Sequence, residues 1–217
     1  MRLGRGYPVQ RVFRSINKVT FDSIGTGWQG GSGTIDHHVG DGSNLILVGL
    51  STTASGAGGA SLSIGGSAMT NTAYIQYHSN GVNDSGQVQI FSMFNPPKGD
   101  ITITVGLSGG LYAASANSVS YCGVHSIGAY TAATGNSSSP TQSAVNKDAH
   151  GVVFQMFGSY GNFTSYNQNK RWSINVSGND HSCLLGDAFG IANPEFIASL
   201  SSSTVWGGIA VPLIPVP

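Results

Sequence analysis

Charge is what this sequence has least of: Lys, Arg, Asp and Glu together make up 8% of it, against about 25% in an ordinary soluble domain. That shortage argues against a monomer kept dispersed by surface repulsion, and for a chain packed into an assembly or secreted. Cysteine is nearly absent. Cys122 and Cys183 allow one pairing at most, and Cys122 sits in the apolar run SVSYCGV, where a buried free thiol is the expectation. Long hydrophobic runs are missing too: nothing approaches the roughly 18 apolar residues of a membrane span. The basic opening is followed by no signal-peptide apolar core and no small-residue cleavage site, so export by the general route is not expected. Windows long enough for a helix are broken by Gly, Asn, Ser or Pro, and the best candidate, PEFIASL at 194–200, would make at most about two turns.

Strand patterns fill the rest. NLILVGL, ASLSIGG, AYIQYH, QVQIFSMF, DITITVGL, SVSYCGV, GVVFQMF, RWSINVS and TVWGGIAVPL are short, rich in β-branched and aromatic residues, and bounded by turn residues. With 40% hydrophobic residues in 217, a sizeable core can be buried. In FSMFNPPKGDITITVGL, Asn95 and two prolines end one strand, Gly99 suits the positive φ of a tight turn, and Ile101, Ile103 and Val105 then alternate with Thr102 and Thr104. The expected fold is all-β: an antiparallel β-sandwich, jelly-roll-like, forming a single domain over 21–217. A long polar loop near 128–150 reads as structureless, and no repeat of fixed period is visible.

The few charges are unevenly placed. Arg2, Arg5, Arg11, Arg14 and Lys18 give residues 1–18 a formal +5, and the other four basic residues set against nine acidic ones leave the remainder at −5. Gly4, Gly6 and Pro8 favour an extended arm over residues 1–20, and guanidinium groups pair bidentately with carboxylates or phosphates. A solvated tail is the bland alternative. Tyr7, Val9, Val12, Phe13 and Ile16 argue against it, because a tail in water has little use for them. Five charges without a second basic patch make a poor nucleic-acid site, so protein neighbours are the expected partners of Arg2, Arg5, Arg11, Phe13, Arg14 and Lys18.

Signs of catalysis are sparse. The acidic residues are scattered singly, and no G-x-S-x-G, H-E-x-x-H or P-loop pattern occurs. Asp36-His37-His38 is the densest cluster of ligating side chains; it reads as a loop before NLILVGL, and in an extended segment the two imidazoles would face opposite ways. No enzyme, metal or cofactor is expected. Sugar rings stack on exposed aromatics, which makes Trp28, Tyr160 and Phe163, with Tyr166 beside them, candidate glycan contacts; Trp172 and Trp206 are assigned to packing. The sequons at Asn83, Asn136, Asn162 and Asn175 read as accidents of an Asn- and Ser-rich composition.

The succession NLILVGLS, LSIGGSAMT, QIFSMFNPPKGDITITVGLS and SANSVSYCGVHSIGAY, over about 45–130, resembles the β-sandwich minor tail and virion surface proteins of tailed bacteriophages. The opening LGRGYPVQRVFRS is similar to the basic G-R-G-x-P leaders of minor tail proteins from actinobacterial phages. The resemblance implies a structural virion protein, made in the host cytoplasm and residing at the tail or capsid surface. It would be multicopy, docked on other virion proteins through its arm. The alternatives are a capsid decoration protein and a secreted or virion-borne carbohydrate-binding module that touches a host-surface glycan.

Overall fold

The computed structural model describes residues 18–54, 59–78, 85–109, 111–176 and 181–217. These residues form nineteen strands and no helix. The first ten are β1 (Thr20–Ile24), β2 (Trp28–Gln29), β3 (Gly33–Val39), β4 (Ser43–Ala54), β5 (Gly59–Ile64), β6 (Ser67–Ala68), β7 (Thr70–His78), β8 (Ser85–Phe94), β9 (Gly99–Ser108) and β10 (Leu111–Cys122). They make two antiparallel sheets: an inner one ordered β1–β10–β4–β8–β7, with β2 also on β10, and an outer one ordered β3–β9–β5–β6. First and last strands lie side by side and successive strands alternate between sheets, the closure of a jelly roll.

The remaining nine are β11 (Val124–Ile127), β12 (Thr131–Ser137), β13 (Thr141–Ser143), β14 (Val152–Ser159), β15 (Phe163–Tyr166), β16 (Asn169–Val176), β17 (His181–Phe189), β18 (Glu195–Leu200) and β19 (Thr204–Pro215). Their inner sheet runs β11–β19–β14–β17–β16 with β12 also on β19, and their outer sheet β13–β18–β15. Strand for strand this repeats the first half; only β6 has no counterpart. Asn95-Pro96 before β9 and Asn193-Pro194 before β18 mark the same turn. Asn95 and Asn193, at φ 49° and 50°, are the only non-glycine residues of positive φ among those described. The chain is therefore two jelly rolls in tandem, a duplication in topology that strand spacing concealed.

The two inner sheets face each other, so the molecule has four layers and three apolar seams. Leu45, Leu47, Val88 and Ile90 meet Phe154, Met156, Leu185 and Ile209 in the middle. Ile46, Val48 and Leu50 face Ile35, Leu62 and Ile103 of the first outer sheet. Phe157, Leu184 and Trp206 face Phe196, Ala198 and Leu200 of the second. Strands buried on both faces need apolar residues at nearly every position, which explains NLILVGL and the wholly buried β14. Outer strands keep the period of two: in β9, Ile103 and Val105 point inward while Thr102 and Thr104 face solvent.

Two sequence expectations are corrected. The 128–150 segment is not structureless, since β12 pairs with β19 and β13 with β18. Its small polar residues form strands because a partner edge is present, not through hydrophobicity of their own. PEFIASL is a strand, β18, whose residues alternate between exposed and buried.

Candidate functional site

The arm joins the body at one pole of the stack. Lys18 is exposed, whereas Val19 is buried and donates its N–H to the His150 carbonyl at 2.9 Å. Strand registers bring Thr20 beside Cys122, Leu45 beside Phe94, Val124 beside Pro215 and Val152 beside Phe189, so both rolls end at this pole. The rolls are stitched there: Asn44 Oδ1 accepts the Val124 N–H at 3.0 Å. Gly123, at φ 73°, forms the joint, where a Cβ would stand 2.7 Å from the Lys18 carbonyl oxygen. Of the expected arm contacts only Lys18 is described; Arg2, Arg5, Arg11, Phe13 and Arg14 lie outside the described residues.

Exposed apolar side chains gather at the same pole. Phe94, Tyr130, Val145, Phe189, Ile191 and Ile214 are each between 37% and 52% accessible. A depression of about 340 Å³ is lined by Lys18, Val19, Phe21, His150 and Phe189. A second, of about 410 Å³, continues from Phe189 past Ile191 to Pro194 and Phe196. A third, about 520 Å³, lies between Tyr130, Val145, Pro212 and Ile214. Patches of this kind on a protein with so little surface charge mark contact surfaces.

Beneath the pole a polar clamp joins the rolls. Asp187 is fully buried and accepts from Arg171 Nε at 2.8 Å, Tyr121 Oη at 2.8 Å and Asn169 Nδ2 at 3.0 Å. The Arg171 guanidinium lies 3.6 Å from the Phe21 ring centroid, so the first strand after the arm rests on the ion pair. Burial pushes the Tyr121 phenol well above its usual range, keeping it a donor. Sequence reasoning missed this cluster, whose members come from both rolls.

Asp36-His37-His38 is part of strand β3, not a loop, and the two imidazoles do face opposite ways. His37 is 3% accessible, its Nδ1 2.7 Å from Ser118 Oγ and its Nε2 2.9 Å from Ser120 Oγ and Ser23 Oγ. Ser120 gives its proton to Asp22 Oδ2 at 2.7 Å, so it must accept from Nε2–H, which leaves Nδ1 as acceptor for Ser118. Burial holds His37 at a pKa of about 4, neutral at ordinary pH. The carboxylate reaches a hydroxyl instead of the ring, so the relay order of a nucleophilic triad is not formed. His38, facing solvent, is 2.7 Å from Asp100, whose hydrogen bond raises its pKa. Among the described residues no group of three potential metal ligands converges.

The expected glycan contacts turn inward. Trp28 lies across Gly33, where a Cβ would run into the indole, and packs on the first outer seam. Tyr160 meets Tyr77 edge-on with centroids 6.1 Å apart and packs on the central seam. Phe163 is 9% accessible beside Phe157. Each sits where a layer needed filling, which a run such as FGSYGNFTSY does not disclose. Tyr166 is exposed under Lys170 Nζ, 5.2 Å from its ring centroid. Trp172 and Trp206 pack as expected, and both cysteines are free thiols. Comparison with known proteins gave no matching family model, no matching curated protein and no matching solved structure.

Proposed function

We propose that this chain is a structural protein of a tailed-bacteriophage particle, a minor tail protein that docks on neighbouring subunits through its basic arm and has no enzymatic role. The observation that carries this reading is the convergence, at one pole, of the arm's root with the exposed apolar residues Phe189, Ile191, Tyr130 and Ile214. A chain poor in charge, with a +5 arm against a −5 remainder, gains by packing that pole against other protein. Neighbours are other virion proteins or further copies of itself. A capsid decoration protein would use the same pole, and a map of the chain's place in the particle separates the two. With Trp28, Tyr160 and Phe163 engaged in packing, the glycan-binding reading loses the residues that suggested it.

The test is deletion of residues 1–17, which precede every described strand. Truncated protein should fold and fail to enter particles. Normal incorporation would overturn the docking role of the arm.

A further inference from the structure

The arm has a three-residue rhythm. Arg2, Arg5, Arg11 and Arg14 stand at every third position, with Pro8 in the same register, while Tyr7, Phe13 and Ile16 share the next register. A chain with about three residues per turn, the polyproline II form favoured by Pro-containing segments, gathers these into an arginine edge and an apolar edge. The two edges have different needs: the first seeks carboxylates, the second a dry surface.

A dry surface begins where the arm attaches. The depression around Lys18 and Val19 is walled by Phe189, and the next depression shares Phe189 and continues along Ile191 to Pro194. Phe189 and Ile191 are 38% and 52% accessible, so the path is uncovered among the described residues. Five residues at about 3.1 Å each carry Phe13 roughly 15 Å from Lys18, the scale of two adjoining depressions. A tether this short gives the arm's own residues an effective concentration, of about millimolar order, that a neighbour's arm would have to overcome.

We infer that residues 13–17 seat in the Phe189–Ile191 groove of their own chain, with Ile16 and Phe13 as anchors, turning the arginine edge outward to the neighbouring subunit. The inference rests on reading residues 1–17 as a docking arm, and divides it into a proximal anchor and a distal reach. Phe189 has a counterpart in the first roll, Phe94, which is 40% accessible, but no chain terminus emerges beside β9 to cover it.

The experiment uses the full chain with photoreactive benzoylphenylalanine in place of Phe13, prepared as a mixture of isotopically heavy and light copies. After irradiation, cross-linked peptides should join position 13 to 188–191 within one isotopic form. Ile191→Asp, at an exposed position, should lower the cross-link yield about tenfold by placing a charge against the apolar edge, with the thermal midpoint unchanged. Mixed-isotope cross-links, cross-links to other sites, or none at all would overturn the cis seat. Particle entry of protein lacking 1–17 would instead overturn the docking arm itself, so the two failures are separable.

Discussion

Gly49 and Met156 occupy the same place in the two rolls and face each other across the central seam. Each lies four residues beyond the partner of the exposed Phe, Leu45 with Phe94 and Val152 with Phe189. A Cβ on Gly49 would stand 2.7 Å from Met156 Sδ and 3.0 Å from Leu185 Cδ1. Two long side chains cannot share that contact, so the absence of one makes room for the other.

Gly49→Val should therefore overpack the seam and cost about 1–3 kcal/mol, while Met156→Ala alone should cost about 2–5 kcal/mol through the cavity it leaves. Combined, they should cost less than the sum, as each change relieves the defect of the other. Urea denaturation of the four proteins measures this; strict additivity would contradict the contact.

Breaking the clamp at Asp187 should be the most damaging polar change in the molecule. Asp187→Ala leaves the Arg171 side chain, 17% accessible, without its carboxylate, a loss of about 3–5 kcal/mol. Tyr121→Phe removes one donor of three and should cost about 1–3 kcal/mol. Thermal midpoints should fall in that order, and equal effects would mean that the charge pair adds nothing to the hydrogen bonds.

Stability should decline as pH drops from about 6.5 toward 4. His37 and His181 are held near pKa 4 in the fold, chiefly by burial, against 6.5 in the unfolded chain. Through that window the unfolded chain takes up protons that the folded one refuses, so the stability due to the neutral rings is complete above the upper value and lost on descending to the lower. His181 is 1% accessible and bonded at Nε2 to Ser115 Oγ at 2.7 Å. His37→Gln should flatten part of the pH profile; an unchanged slope would place the titration elsewhere.

Self-association should depend on salt and on the arm. At low ionic strength the full chain should sediment as multimers held by arginine–carboxylate contacts, loosening as salt shortens the screening length to below about 8 Å. Protein without residues 1–17 should remain smaller in both conditions. A full-length monomer at low salt would be inconsistent with arm-mediated contacts.

The sequence by itself determined the all-β class and several local devices. Alternation in DITITV set which face of β9 is buried, Asn95-Pro96-Pro97 and Gly99 made the turn before it, with Gly99 at φ 79°, and adjacency of His37 and His38 in an extended segment sent their rings to opposite sides. These are properties of neighbouring residues, governed by sterics and a period of two. Only the tertiary structure decided that there are two rolls, that their inner sheets meet, that polar β12 and β13 are strands, and that Trp28, Tyr160 and Phe163 fill layers. Tyr121, Arg171 and Asp187 likewise come together only when the rolls do. A strand's pattern states how its two faces differ, but which sheet covers each face is fixed by pairings between residues far apart in the chain, and these leave no mark in any single stretch of sequence.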